Sequence, residues 1–468
     1  MKKSIIYIFL LANICVFSQT TTSYDINSNF LLNKKPFFPF GCYGLYYTES
    51  QENKINSVRE LSKAGFNIMC LANADNSNGQ TNFLNLLDTA FKYKVYFVMG
   101  ASNNSFLKYR ASQCLAKPAL FGYTLADDAD DNTKTSLEEC RTVEAEIKAI
   151  DKNRLTHLTL TGWDATRRAA ANDYIAISDF CSYQCYPIGN HRYADITPAK
   201  ALTLAYERTL AYVKEAELQK KPFVHTPQTF TWAEQSDIPR YPTVIELRNM
   251  TYSALAAGVK GFISYDFSFD LINNQKPLWK EYADLAKDVK SVQSILFENK
   301  LTRHNTADNE LVFSSWRKGD TTLFVIVNTS YTFKKNINQK IDWSIGNQLI
   351  PVSNRLESPL YIENGTLTGS ISPQGVQVYT TVAKPTSLEF EYMANVITIN
   401  PNPAKNELLL NGSLTPSTTY EITSIEGKGM QSGIVNSGSI SIENLKAGIY
   451  FIKIGTKGDE KVLRFVKE

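Results

Sequence analysis

The sequence predicts a (β/α)8 TIM barrel followed by a small β-sandwich and a second β-sandwich at the C-terminus. Over residues 36–270 eight short apolar runs alternate with helix-like segments, the size and rhythm of a (β/α)8 barrel. A doubly wound open sheet would carry a Gly-rich phosphate turn after its first strand, and no G-x-G-x-x-G occurs there. After Leu301 the long helical patterns stop, and short strand-like runs with Gly, Asn and Pro turns take over.

Taken in order, residues 37–47 are strand-like, and helical spacing over 53–64 stops at Gly65, a natural C-terminal cap. Residues 66–72 are apolar, and the helix 81–94 carries Phe83, Leu86, Leu87 and Phe91. The third strand is 95–101, and a short helix at 106–116 leads to the fourth strand, 120–126. Helix 137–150 has one apolar stripe of Leu137, Cys140, Val143, Ile147 and Ile150. Residues 155–160 alternate as the fifth strand, and 178–186 form the sixth, followed by a long helix at 198–218. The seventh strand is 222–230, and helix 243–257, capped by Gly258, feeds the eighth strand, 259–267.

These elements place the barrel at 24–300, the first sandwich at 301–384, a linker at 385–395 and the terminal domain at 396–468. Within the first sandwich, Leu323-Phe324-Val325-Ile326-Val327 is apolar on both alternating faces. That strand is therefore expected to be central and packed on the barrel.

A chain of 468 residues exceeds one ordinary domain, and 43% hydrophobic residues are enough for full cores. Met1-Lys2-Lys3 followed by apolar residues 5–17 reads as a signal peptide ending at 18, with Val16 and Ser18 as the small cleavage-site residues. No later run has the length and apolarity of a membrane helix, so an exported, soluble chain is expected. The formal charge of +3 loses Lys2 and Lys3 on processing and, with no basic cluster, gives no footprint for nucleic acid. Six cysteines remain, all before residue 186, with no zinc-module spacing; export permits disulfides among about fifteen pairings, and single buried thiols are the commoner outcome. The absence of H-E-x-x-H, P-loop and EF-hand patterns implies neither metal nor nucleotide cofactor.

Chemistry concentrates where the fourth strand stops at Asp127 and Asp128, because barrel enzymes work at the C-terminal ends of their strands. Adjacent carboxylates repel, which favours keeping one protonated, as a general acid requires. Asp130 and Asp131 are expected to be solvated acids ahead of the next helix. Partner carboxylates are Asp266, closing the eighth strand, Glu234 in the loop after the seventh, and more weakly Asp270. Aromatic residues near strand ends, Tyr43, Tyr46, Tyr123, Tyr186, Trp232, Tyr265 and Phe267, suit the stacking of sugar rings. His225 reads as a core or mouth histidine, His191 as a candidate cleft residue, and Glu246 and Arg248 as structural helix residues.

Four pieces carry a family likeness: Pro118-Ala119-Leu120-Phe121-Gly122-Tyr123 followed by Asp127-Asp128; Ser178-Asp179 with Tyr186-Pro187; Gln228-Thr229-Phe230-Thr231-Trp232; and Glu246 to Met250 through Gly258-Val259-Lys260-Gly261. Together they resemble the clan-A-like (β/α)8-barrel glycoside hydrolases, which use two carboxylates at barrel strand ends. The resemblance implies hydrolysis of an oligo- or polysaccharide, with Asp128 as acid, Asp127 beside it, and Asp266 or Glu234 as second carboxylate. Trp232, Gln228, Tyr186, Tyr123, Tyr46 and Tyr265 would bind substrate. The chain departs from the family by an aspartate where the acid is normally glutamate, and by no clear carboxylate at the seventh strand end. That leaves a non-catalytic surface glycan-binding protein as the alternative.

At the C-terminus, Asn400-Pro401-Asn402-Pro403-Ala404, Leu445 to Phe451 and Arg464-Phe465-Val466-Lys467 resemble the type IX secretion system (Por) C-terminal sorting domain. The resemblance implies the type IX machinery as partner, a secreted or cell-surface location and a source in the Bacteroidota.

Overall fold

The computed structural model describes residues 20–44, 50–71, 80–101, 103–131, 135–162, 164–189, 197–232, 239–267, 269–298, 300–306, 308–341, 348–353, 359–381, 398–411, 418–425, 427–435, 438–456 and 459–468. Three short antiparallel strands come first, Thr22–Tyr24 (β1), Phe30–Leu32 (β2) and Lys35–Pro36 (β3), where the sequence pattern was too short to announce a sheet. They seal the floor of the barrel. Phe30 is fully buried, with its ring centroid 5.9 Å from Phe121 and 5.0 Å from Phe180 in edge-on contacts. Thr22 Oγ1 donates to the Phe121 carbonyl at 2.7 Å and accepts the Leu155 N–H at 2.9 Å.

The barrel alternates as predicted. Its elements are Phe40–Tyr43 (β4), Gln51–Ala64 (α1), Ile68–Leu71 (β5), Gln80–Lys92 (α2), Tyr96–Met99 (β6), Asn104–Cys114 (α3), Leu120–Ala126 (β7) and Leu137–Ile150 (α4). Then come Leu155–Leu160 (β8), Ala165–Ile177 (α5), Phe180–Gln184 (β9), Ala201–Leu218 (α6), Phe223–Thr226 (β10), Val244–Ala257 (α7), Phe262–Ser264 (β11), Phe269–Asn273 (α8) and Lys276–Leu296 (α9). Strands β4 to β11 pair in parallel and close in the order β10-β11-β4-β5-β6-β7-β8-β9. Helix α5 has no clear periodicity, burying only Ala171, Tyr174 and Ile175, and is started by the Asp164 side chain accepting the Arg167 N–H. At Gly41 the strands approach so closely that a Cβ would lie 1.7 Å from the Ile68 carbonyl oxygen.

Inside the ring the floor is apolar, built from Phe121, Phe180, Val224 and Ile263 with their neighbours. Above it lies a polar layer. His157 is fully buried, with Nδ1 3.1 Å from Thr124 Oγ1 and Nε2 3.0 Å from Ser182 Oγ, and it stacks on Phe180 at 4.5 Å. Burial pushes its imidazole down to about 3, so it is neutral.

The first β-domain contains Leu301–Arg303 (β12), Leu311–Lys318 (β13), Thr321–Asn328 (β14), Lys335–Lys340 (β15), Leu349–Pro351 (β16), Tyr361–Glu363 (β17), Thr366–Ile371 (β18) and Val376–Thr381 (β19). A five-stranded sheet, β12-β13-β14-β19-β16, faces a three-stranded one, β15-β18-β17. Strand β14 is central and buried on both faces. Phe324 and Ile326 enter the core between the sheets, while Leu323, Val325 and Val327 join the cluster that packs the barrel helices. The Asn249 side-chain amide of α7 donates to the Asn328 carbonyl at 2.8 Å, and Ser314 Oγ to the Ala256 carbonyl at 2.8 Å. Residues 1–383 therefore form one compact unit.

Residues 384–468 form the second unit. It holds Thr398–Asn400 (β20), Glu407–Asn411 (β21), Thr419–Ser424 (β22), Gly429–Ile434 (β23), Ser439–Ser441 (β24), Gly448–Thr456 (β25) and Asp459–Lys467 (β26). Two antiparallel sheets, β20-β21-β24 and β23-β22-β25-β26, enclose Leu408, Ile422, Ile440, Ile452 and Phe465.

Candidate active site

Strand β7 stops at Ala126, and two consecutive acids follow. Asp128 takes φ of 51°, so the side-chain alternation of a strand ends there and loop contacts place both carboxyls. Three of those contacts come from one residue of β8. The Thr159 carbonyl accepts the Ala129 N–H at 2.9 Å, its Oγ1 accepts the Asp128 N–H at 2.6 Å, and the same hydroxyl donates to Asp127 Oδ1 at 2.7 Å. Gln184 Nε2, ending β9, donates to that Asp127 oxygen at 3.0 Å. Donors to a carboxylate favour its ionised form. Asp127 thus accepts hydrogen bonds from strands β8 and β9, with Asp128 half-buried beside it.

Asp130 and Asp131 are not the solvated acids that the sequence predicts; both are buried, at 3% and 7% exposure. Asp130 accepts the Thr161 N–H and hydroxyl at 2.8 and 2.9 Å and the Gly162 N–H at 2.7 Å. Burial raises its carboxyl above the ordinary value, against those hydrogen bonds. Asp131 pairs with Arg167 of α5 at 3.0 Å. The turn ahead of α4 folds back onto the β8–α5 connection, where free N–H groups require acceptors.

The other wall of the mouth is aromatic. Tyr43 ends β4, Tyr186 follows β9, Phe230 and Trp232 follow β10, and Tyr265 follows β11. Ring centroids lie 6.1 Å apart for Tyr43–Tyr265, 5.9 Å for Tyr186–Tyr265, 4.9 Å for Tyr186–Phe230 and 5.1 Å for Phe230–Trp232. Trp232 and Tyr265 are half-buried, leaving ring surface open, whereas Tyr186, expected to bind sugar, is buried at 5% exposure, and Tyr43 is buried too. Asp266, also half-buried, follows Tyr265, and its carbonyl accepts the Thr229 hydroxyl at 3.1 Å. Its charge adds to the burial that pushes the Cys42 thiol up to about 12. Strands β7 and β11 stand opposite in the closed ring, so Asp127 and Asp128 end one side and Asp266 the other.

Other predicted residues fall elsewhere. Tyr123, expected among the sugar-binding rings, lies outside the mouth. Its hydroxyl donates to Asp151 Oδ2 at 2.7 Å, and Asp151 pairs with fully buried Arg154 at 2.7 Å. Against β6 the register of β7 shifts between Leu120 and Gly122, so Thr124 faces the interior in its place. Gln228 is buried with its amide committed to backbone, accepting the Ile188 N–H at 3.0 Å and donating to the Ile188 carbonyl at 2.9 Å. His225 is a buried core histidine that desolvation pushes down to about 3. Glu246 caps α7 and pairs with Arg240 at 2.6 Å, and Arg248 pairs with Glu281 at 2.9 Å. Tyr46, His191 and Glu234 lie outside the described residues, and Asp270 falls within α8. Thr159 and Gln184 were not among the predicted site residues. Their signal is period-two alternation, which sets Leu155, His157 and Thr159 on one face of β8 and polar groups on the inner face of a barrel strand.

Residues 398–468 match the secretion system C-terminal sorting domain. This tail assigns the protein to type IX secretion, so it is secreted or displayed at the cell surface. Among solved structures, the chain is similar to a glycoside hydrolase family 5 protein from Bacteroides vulgatus ATCC 8482, with 14% identity and a TM-score of 0.52, covering 78% of this chain and 94% of that one. An Anoxybacillus alpha-amylase, at 9% identity and a TM-score of 0.49, covers 78% and 100%. A GH30 endoxylanase from Clostridium papyrosolvens C71, at 11% and 0.47, covers 78% and 100%. At such identities the family 5 likeness speaks for the fold, a barrel used by glycoside hydrolases. No curated protein matches the chain.

Among the described residues no cluster of three or more His, Cys, Asp or Glu side chains has the arrangement to hold a metal ion, and no helix is long and apolar enough to cross a membrane. The six described cysteines are buried free thiols. The mouth therefore offers carboxylates, one of them hydrogen-bonded by Thr159 and Gln184, together with the half-buried rings of Trp232 and Tyr265.

Proposed function

We propose that the protein is a secreted glycoside hydrolase that cleaves an oligo- or polysaccharide with carboxylate groups alone. The observation that carries this reading is the acidic pair ending β7, set across the barrel mouth from Asp266 and an aromatic wall. Asp128 donates its proton to the glycosidic oxygen as the bond to the anomeric carbon breaks. Asp127, fixed by Thr159 and Gln184, accepts sugar hydroxyls and stabilises positive charge on the ring. Asp266 or Glu234 activates the water, or attacks the anomeric carbon itself; about 6.5–9.5 Å between carboxyls would mean inversion and about 5–5.5 Å retention. Trp232 and Tyr265, whose rings are half-buried, stack on pyranose rings, and buried Tyr186 packs against both.

A second reading, a glycan-binding protein without catalysis, is favoured by the end of β10. Its exit supplies Gln228, Phe230 and Trp232 and no carboxylate before Glu234. Reducing-sugar release from a glycan panel separates the two. Losing a general acid costs about 10²–10⁴-fold in rate, so Asp128→Asn should lose that much on natural glycans and far less on activated aryl glycosides. Unchanged turnover in Asp128→Asn removes the assignment, and tight binding without release by the wild type establishes the second reading.

A further inference from the structure

We infer that Thr159 is the positioning residue of the acidic pair, orienting Asp127 through its hydroxyl proton and Asp128 through the backbone N–H that the same oxygen receives. The inference deepens the hydrolase reading and rests on it for its catalytic consequence. The geometry is specific. One buried oxygen acts at once as donor to Asp127 Oδ1 at 2.7 Å and as acceptor from Asp128 N at 2.6 Å. With its only proton given to Asp127, the hydroxyl has its lone pairs left for the Asp128 N–H. One hydroxyl thus couples the two acids: turning it away costs each of them a contact.

The bland alternative is that Thr159 merely ties the loop down. Other contacts already do that. Asp130 holds the Thr161 and Gly162 N–H groups, Asp131 holds Arg167, and the Thr159 backbone carbonyl holds the Ala129 N–H. None of these needs the Thr159 side chain, so a variant without the hydroxyl should keep its loop and its fold. What it loses is the hydrogen bond to the Asp127 carboxylate and the acceptor of the Asp128 N–H, where the backbone takes φ of 51°. Gln184 still reaches Asp127, so the carboxylate stays in the mouth but is less favoured in its charged form.

The test is carboxyl ¹³C NMR of the full chain with labelled aspartate, Asp127→Asn identifying the Asp127 signal. Thr159→Val should raise the Asp127 titration midpoint by about one pH unit, in keeping with the loss of one hydrogen bond to a charged group. Thr159→Ser keeps the hydroxyl and should restore the wild-type midpoint. On a cleaved glycan, Thr159→Val should lower kcat by about 10- to 100-fold with KM little changed, and Thr159→Ser should recover most of it. Equal midpoints in the Val, Ser and wild-type chains overturn the inference even where glycans are cleaved. If the midpoint moves as expected but the wild type cleaves no glycan, the positioning role stands and the hydrolase reading falls.

Discussion

Two buried histidines make the barrel acid-sensitive by an amount that follows from their surroundings. His157 and His225 are fully buried, and desolvation pushes each imidazole down to about 3. In the unfolded chain each titrates near 6.5. Above that pH both states are neutral and the histidines add no pH dependence. Between 6.5 and 3 the unfolded state alone binds the proton, so stability falls as pH falls. From pH 7 to pH 5 each histidine costs about 2 kcal/mol, about 4 for the pair, against a total stability of roughly 5–15 kcal/mol. His157→Gln should therefore be less stable than wild type at pH 7, through its disturbed bonds to Thr124 and Ser182. It should nevertheless lose about 2 kcal/mol less than wild type on going to pH 5. Urea unfolding followed by tryptophan fluorescence measures this, since all five tryptophans belong to residues 1–383. An equal pH 7-to-5 loss in variant and wild type would refute the reasoning, because the imidazole would then be protonated inside the fold.

Replacing Asp266 by Asn and Glu234 by Gln, one at a time, should give one severe loss of glycan hydrolysis and one near-neutral change, which identifies the second carboxylate; two neutral changes would leave the hydrolase without one. A chain ending at residue 383 should fold, keep any activity and stay inside a native host cell, because residues 384–468 form their own unit and residues 398–468 carry the sorting match. Insolubility of that shorter chain, or its normal export, counts against the division. Phe30→Ala should destabilise the barrel by about 3–5 kcal/mol, the usual cost of removing a buried phenylalanine, as read by thermal melting. A shift near zero would mean that the floor sheet is not part of the folded core.

Much of the fold is written in local patterns. Helices α1 and α7 begin at Ser50 and Thr243 and end at Gly65 and Gly258, caps whose chemistry is visible residue by residue. The two-faced run in β14 gave away a layer on each side. Where the pattern is short or evenly mixed, it says little. Strands of two or three residues, such as β1 to β3, have no period to detect, and α5 dilutes its apolar positions with alanine. Side-chain direction is the harder matter. An apolar run such as Leu120 to Ala126 is legible as a strand, but a shift of register between Leu120 and Gly122 sent Tyr123 towards Asp151 and Thr124 towards His157. The acids of 127–131 were legible as a cluster. Their division into mouth-facing and buried members depended on N–H groups of Thr161 and Gly162, some 31 and 32 residues further on.

The floor sheet bears on the order in which the molecule assembles. Thr22 meets Phe121 and Leu155 across 99 and 133 residues of chain. Segments that far apart meet only after a large loss of chain entropy, and contacts of this kind slow folding. The first strands to be made are thus among the last to find their places, because their partners sit at the starts of β7, β8 and β9. Until those three strands stand side by side, Phe30 has no cavity to enter. The earliest part of the chain is the stopper, and the vessel must be nearly complete before it can be fitted.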